Sequence, residues 1–68
     1  MTEDKARKIF NEEMPFRVIE RIEKRRNGYL IVAYGREVGP LDVSGTVFFV
    51  DMFGNVRKLS LPEIIKML

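Results

Sequence analysis

The spacing of apolar residues at the start of the chain predicts a helix. In the segment TEDKARKIFNEE, Ala6, Ile9 and Phe10 recur at helical spacing and form one apolar face. Thr2 is a suitable N-cap for this helix, because its hydroxyl can accept a hydrogen bond from a backbone N–H of the first turn. Pro15 disfavours helical backbone at the residue before it. The pattern therefore predicts an N-terminal helix that ends before Pro15.

The next segment, FRVIERIEKRR, fits either a β-strand or a second helix that starts at Pro15. Asn27-Gly28 follows it, and this dipeptide between apolar segments is the strongest short-range signal for a β-hairpin. The strand-like segment YLIVAY comes next. Strands at 16–26 and 29–36, joined by a type I′ turn at Asn27-Gly28, satisfy both patterns. The hairpin is therefore favoured, and the helix is the alternative.

A two-residue turn at Asn27-Gly28 would set Arg26 opposite Tyr29 and so determine which side chains share a face. The face expected to form the core carries Phe16, Val18, Ile22, Tyr29, Ile31 and Ala33. The second face carries Arg17, Ile19, Arg21, Glu23 and Arg25 opposite Leu30, Val32, Tyr34, Arg36 and Val38. This second face is mixed, with an apolar row on one strand and charged residues on its neighbour.

A second hairpin and a short helix are predicted for the rest of the chain, after a loop at GREVGPLDVSG. In TVFFVDMFGNVRKLSL, Asp51 and Gly54 suit the first and fourth positions of a type I turn. Ser60 and Glu63 form a capping box, with Leu59 and Ile64 placed as its hydrophobic staple. The apolar stripe of this C-terminal helix consists of Leu61, Ile64, Ile65 and Leu68.

The order helix, hairpin, hairpin, helix predicts one α+β domain over residues 1–68 with a four-stranded antiparallel sheet. A helix as short as the C-terminal one is not stable in isolation, so it is expected to dock on the sheet. Two short helices are well suited to cover one face of such a sheet and are not expected to cover both.

The composition argues against disulfide formation, metal binding and most kinds of catalysis. The 68 residues include no Cys and no His, which excludes disulfides, a Cys-ligated metal and the commonest general base at neutral pH. No catalytic residue, metal site or cofactor is therefore expected, and the chain is expected not to be an enzyme. The absence of Gln and Trp, with abundant Lys, Arg, Glu and Ile, resembles the composition of heat-adapted proteins.

The distribution of charged and apolar residues indicates where the protein is located and which kinds of partner it could bind. The net charge is only +2, so the pI of 9.2 gives weak support for an anionic partner. The first twenty residues are charged throughout, and no apolar run approaches the roughly 18 residues needed to cross a bilayer. A cytoplasmic protein with no membrane partner is expected.

The basic cluster before Asn27 is a candidate nucleic-acid contact. Its residues are Arg21, Lys24, Arg25 and Arg26, and Tyr29 or Tyr34 could stack on a base. The opposing interpretation is that these charges only keep a hairpin tip solvated. Glu20 and Glu23 lie among them and weaken the positive field, which favours the second interpretation.

The apolar row on the second face is a candidate protein interface. The row consists of Leu30, Val32 and Tyr34, with Ile19 and Val38 beside it. Apolar patches rimmed by charge are typical of self-association surfaces, and a domain of this size gains stability by oligomerising. The leading expectation is a homodimer or a complex with another protein, and burial under the rest of the chain is the alternative.

The segment VFFVDMFGNV, after a helix containing KARKIF and a hairpin containing YLIVAYG, resembles small PepSY-like and immunity-protein-like α+β domains. In those families a helix precedes a meander whose last turn reads roughly Val-Asp-x-x-Gly-x-Val. The matching positions here are Val50, Asp51, Gly54 and Val56. The resemblance implies a domain that acts by binding another protein, often as an inhibitor or regulator.

Overall fold

The computed structural model describes residues 1–35 and 46–67. Its elements are α1 (Glu3–Glu13), β1 (Arg17–Arg25), β2 (Gly28–Gly35), β3 (Thr46–Asp51), β4 (Val56–Lys58) and α2 (Leu61–Met67). The four strands form one antiparallel meander in the order β1-β2-β3-β4. This confirms the predicted α+β fold and the strand interpretation of the segment after Pro15. The loop predicted at GREVGPLDVSG lies almost wholly outside the described residues.

Helix α1 begins and ends as its sequence predicts. The Thr2 hydroxyl accepts a hydrogen bond from the Lys5 N–H at 3.2 Å, which satisfies one of the free donors of the first turn. At the other end, the Met14 N–H donates to the Phe10 carbonyl at 2.8 Å, and the chain then turns into β1. Ala6 and Phe10 are fully buried, so the predicted apolar face is the one that packs on the sheet.

The first face of the sheet, which lies under α1, holds the larger of two hydrophobic clusters. Phe10 meets Phe48 of β3 edge to face, with ring centroids 5.1 Å apart. The buried members of this cluster are Ala6, Phe10, Tyr29, Ile31, Ala33, Phe48 and Val50. Ile31 and Val50 are fully buried at its centre.

The β1–β2 turn lies one residue earlier than predicted. Arg25 pairs with Gly28, so the two loop residues are Arg26 and Asn27 rather than Asn27 and Gly28. No residue other than glycine in the described part of the chain has a positive φ, which excludes the predicted type I′ turn. Tyr29 therefore pairs with Lys24. The register differs from the prediction by two residues, so each side chain near the turn keeps its predicted face.

Gly28 is required by a close backbone approach inside the sheet. Its φ is +154°, and it pairs with Asp51 of β3. A Cβ atom placed on Gly28 would lie 2.1 Å from the Val50 carbonyl oxygen, much closer than any side chain tolerates. A neighbouring backbone atom cannot rotate away as a flexible side chain can. Glycine at this position therefore allows β2 and β3 to pair closely.

A β-bulge at Glu20 moves each side chain in the first half of β1 to the face of the sheet opposite the predicted one. The pairing shifts by one residue between Ile19 and Arg21. Strict alternation from Ile22 would direct Glu20 into the face under α1, where an unpaired carboxylate is costly to bury. The bulge leaves Glu20 exposed and places Ile19 against the first cluster instead. The predicted positions of Arg17, Val18 and Ile19 were therefore on the wrong faces, and Phe16, predicted to be in the core, is 81% exposed.

The β3–β4 turn has the predicted form. The Gly54 N–H donates to the Asp51 carbonyl at 3.1 Å, and Gly54 has a φ of +88°, as the left-handed position requires. One oxygen of the Asp51 carboxylate accepts from the N–H groups of Phe53 and Asn55, both at 2.9 Å. These hydrogen bonds, chiefly the one from the Asn55 N–H, hold the pKa of Asp51 below its usual value.

Helix α2 lies on the second face, opposite α1. The Glu63 half of the predicted capping box forms, because the Glu63 carboxylate accepts from the Ser60 N–H at 3.2 Å. The Ser60 hydroxyl donates to the same carboxylate at 3.0 Å. The predicted staple also forms, since Ile64 packs against a second cluster that contains Leu59. The two helices therefore do not share one face, although α2 covers only part of its own.

Candidate interaction surface

The second face of the sheet, defined here as the side away from α1, is apolar along its centre. Leu30 pairs with Phe49, and Val32 pairs with Val47. Leu59 lies beside Val47, and the Leu59 N–H donates a hydrogen bond to the Val47 carbonyl at 2.8 Å. The bulge adds an apolar pair at one end of the row, Val18 and Tyr34.

Burial falls off along this face. Leu30, Phe49 and Leu59 are buried, with exposed fractions of 9%, 6% and 3%. In contrast, Val32 and Val47 in the next row are only half-buried, and so are Val18 and Tyr34. The second cluster is thus smaller than the first and grades into a partly exposed apolar strip.

Helix α2 extends the apolar surface. Leu61, Ile64 and Ile65 recur at i, i+3 and i+4, so they belong to one stripe of the helix. Ile64 alone of the three packs on the buried cluster, whereas Leu61 and Ile65 are 69% and 61% exposed. Two large aliphatic side chains of α2 are therefore mostly exposed to solvent.

Charged side chains of both signs border the surface. On β1, the Glu23 carboxylate pairs with the guanidinium groups of Arg21 and Arg25, the latter at 2.8 Å. On the other side, Arg57 of β4 pairs with Glu63 of α2. The hydrogen bond from Arg57, with those from Ser60, lowers the pKa of Glu63. Neither border has a large excess of one sign.

The predicted interface residues are only partly brought together. Leu30, Val32 and Tyr34 lie on the second face as predicted. Ile19 does not, because the bulge turns it toward α1 and the first cluster. Val38 lies outside the described residues. The structure therefore supports a common face for three of the five.

The sequence interpretation did not assign Val18, Val47, Phe49, Leu61 and Ile65 to this surface. The unbroken apolar run Val47 to Val50 was a signal for β3, since such a run indicates a strand with both faces in apolar surroundings. The position of Leu61 and Ile65 depends on which face α2 packs against, and no local signal reports that.

The basic cluster before Asn27 has a weaker positive field than its sequence indicates. Arg21 and Arg25 share the Glu23 carboxylate, while Lys24 and Arg26 are exposed and form no ion pair with any described residue. Tyr29, proposed as a stacking residue, is only 5% exposed and belongs to the first cluster. Phe53 is 91% exposed at the neighbouring turn, but it was not among the predicted contacts.

The described residues contain neither a metal-binding cluster nor a helix that could cross a membrane. No group of three or more Asp and Glu side chains there is arranged to hold a metal ion. None of the helices in residues 1–35 and 46–67 has the length and hydrophobicity needed to cross a bilayer.

Comparison of the chain with protein-family models, with curated proteins and with solved structures finds no match. The resemblance to PepSY-like and immunity-protein-like domains therefore rests on the order of elements and on the turn at Asp51 and Gly54, and it stays a prediction.

Proposed function

We propose that this protein is a small non-enzymatic interaction domain that self-associates through the second face of its sheet. The observation that carries the proposal is the exposure of Leu61 and Ile65 on α2, a helix that packs on the same face of the sheet as the half-buried strip of β2 and β3. Contiguous apolar surface rimmed by polar groups is typical of a protein interface. A second copy of the chain is the occupant we propose.

The charges at the border favour a second copy over a partner of strong opposite charge. A two-fold dimer brings each patch against its own equivalent, so a border with an excess of one sign would repel itself. Here the border carries Arg21, Glu23 and Arg25 on one side and Arg57 with Glu63 on the other. In a dimer, each acidic group can lie near basic groups of both copies.

The dimensions of the molecule are compatible with such a dimer. The protein measures 30 × 26 × 15 Å along its principal axes, so its broad side is large relative to its thickness. A stable interface of standard size buries about 800 Å² on each partner. The total accessible surface is 5029 Å², so the interface would use a modest fraction of it.

The test is the mass of the protein in solution as a function of concentration, measured by light scattering and sedimentation. The parent protein is expected to dimerise. Leu61→Glu and Ile65→Glu are expected to give folded monomers, because both positions are exposed in the single chain and become buried only in the dimer. Val32→Glu tests the centre of the strip and is expected to abolish the dimer as well.

Phe53→Glu is the matched control, since it also replaces an exposed apolar residue by a carboxylate but lies at the β3–β4 turn. It is expected to leave the dimer intact. A parent protein that is monomeric at high concentration would overturn the proposal. Dimers that persist in the α2 and Val32 variants would place the contact on another surface.

The nucleic-acid alternative has less support, because Glu23 pairs with two of its four basic residues. It is tested by titrating generic single-stranded and double-stranded nucleic acid at several salt concentrations. Affinity that falls steeply with salt, and that is lost on Lys24→Glu with Arg26→Glu, would replace self-association as the leading function. The cytoplasmic location stays a prediction from the sequence.

A further inference from the structure

A second surface feature lies on the opposite side of the molecule, between α1 and β1. It is an open hollow of about 460 Å³ lined by Arg7, Asn11, Pro15, Arg17, Val18 and Ile19. Two of these residues are cations, one carries a neutral amide, and none of the six has a carboxylate. The walls thus offer hydrogen-bond donors and positive charge next to an apolar floor.

Arg17 is held at this site by the shape of the sheet. It pairs with Gly35 of β2, and the next residue on that face of β2 is Ala33. These small residues leave room for the Arg17 side chain to reach across β2, where its guanidinium carbon lies 5.3 Å from the centroid of the Phe48 ring. Stacking on the ring orients the planar guanidinium group.

The charge of Arg17 has no counter-ion among residues 1–35 and 46–67. The side chain is half-buried, it forms no ion pair with any described residue, and its Nη1 atom is buried without a hydrogen-bond partner. A cation removed from water normally has a compensating anion or several acceptors. Because Nη1 is closed off from solvent, an anionic ligand in the hollow would compensate the charge through the other guanidinium nitrogen atoms.

Arg7 and Asn11 complete the site from the helix. They are four residues apart, so their side chains are neighbours on the surface of α1. Arg7 is 3.6 Å from Glu3, a long contact between exposed side chains that contributes little and leaves the guanidinium group able to turn toward a ligand. The Asn11 amide adds a neutral donor.

We propose that this hollow binds a small phosphate monoester, with the phosphate held by Arg7, Asn11 and Arg17 and the organic group lying on Pro15 and Ile19. Guanidinium groups favour phosphate because their paired N–H donors match two phosphate oxygens. The apolar side chains of Pro15 and Ile19 favour an ester over the free ion, because they offer a contact for its organic group. The site lies on the α1 side, so it does not depend on the proposed dimer.

The experiment is a titration in phosphate-free buffer with inorganic phosphate and with adenosine monophosphate, followed by two-dimensional NMR. The readouts are the Nε–Hε signals of Arg7 and Arg17 and the side-chain amide of Asn11. Both probes are expected to shift these signals, and the ester is expected to bind more tightly, with a dissociation constant of about 1 mM or below. If neither probe shifts them, the proposal is wrong.

Three variants and one control identify the residues responsible. Arg17→Gln and Arg7→Gln are each expected to weaken binding about tenfold or more, because a charge-assisted hydrogen bond is lost. Arg17→Lys is expected to bind with intermediate affinity, since it keeps the charge but loses the paired donors. Lys8→Gln removes one charge from the same helix without touching the hollow, and it is expected to have little effect.

Equal weakening by Lys8→Gln and Arg7→Gln would overturn the proposal, because it would indicate diffuse attraction to a basic surface. Arg7 is substantially exposed, so Arg7→Gln is expected to fold even if Arg17→Gln does not. If inorganic phosphate bound as tightly as the ester, the organic group would make no contact and the assignment of a monoester would be wrong.

Discussion

The two faces of the sheet are built from alternating residues of the same strands, yet they differ in how completely they are covered. Under α1, Phe10, Ile31 and Val50 are fully buried in one continuous cluster. On the other side, the cluster around Leu30 and Phe49 is smaller and continues into partly exposed side chains. The difference follows from the helices, because α1 has 11 residues and α2 has only 7.

This comparison separates residues that hold the fold together from residues that are available for binding. A fully buried side chain contributes to stability whether or not a partner is present. A half-exposed apolar side chain contributes its remaining burial only when something covers it. We therefore expect mutations on the first face to lower the free energy of unfolding directly, and mutations in the partly exposed strip of the second face to act mainly through association.

The largest effect is expected from a matched pair on β2, where Ile31 and Val32 are adjacent and point to opposite faces. Ile31→Ala leaves a cavity in the first cluster and is expected to lower the free energy of unfolding by about 2–5 kcal/mol. Val32→Ala is expected to cost less than about 1 kcal/mol in dilute solution. Urea denaturation measures both, and equal costs in dilute solution would contradict the comparison.

Repeating the denaturation at several protein concentrations separates an effect on the dimer from an effect on the single chain. If the second face is an interface, the cost of Val32→Ala grows with concentration, because the dimer stabilises the parent protein by mass action. The cost of Ile31→Ala consists mainly of a term that does not depend on concentration.

A smaller effect is expected at Gly28, where β2 approaches β3 most closely. Gly28→Ala places a Cβ against the Val50 carbonyl, so the strands must separate locally, at a cost of about 1–3 kcal/mol. Asn27→Ala is the control, because Asn27 is exposed in the loop and has no positive φ. Both are measured by urea denaturation. A Gly28→Ala variant as stable as the parent would mean that the strands are less closely paired.

The smallest effect is expected at Asp51, in a turn that belongs to neither cluster. Its pKa is lowered by hydrogen bonds from backbone N–H groups, so the ionised form stabilises the folded state. This contribution is complete above the ordinary pKa of 3.8 and is lost as the pH falls below it through the lowered folded-state value. Asp51→Asn removes the titrating group.

The measurement is the difference in thermal midpoint between the parent protein and Asp51→Asn across the acid range. The parent is expected to be more stable near neutral pH, and this advantage is expected to shrink as the pH falls below 3.8. A difference that does not change with pH would show that the carboxylate charge does not stabilise the turn.

Features that depend on residues close together in the chain were predictable from the sequence. Thr2 caps α1 through a bond to Lys5, and Glu63 reaches back to Ser60. The β3–β4 turn is held by hydrogen bonds between Asp51 and three residues that follow it closely, Phe53, Gly54 and Asn55. Each of these interactions spans at most four residues, so the local sequence contains both partners.

Features that depend on distant partners were decided by the tertiary structure. The bulge at Glu20 forms because α1 covers one face of β1, which makes burial of that carboxylate costly. The β1–β2 turn is displaced because Gly28 fits against Val50, a residue of another strand. The sequence by itself thus determined the order of elements, their caps and the second turn. Which face each residue of the first half of β1 and helix α2 occupies was decided only when the elements packed, since that choice depends on which surfaces are buried together.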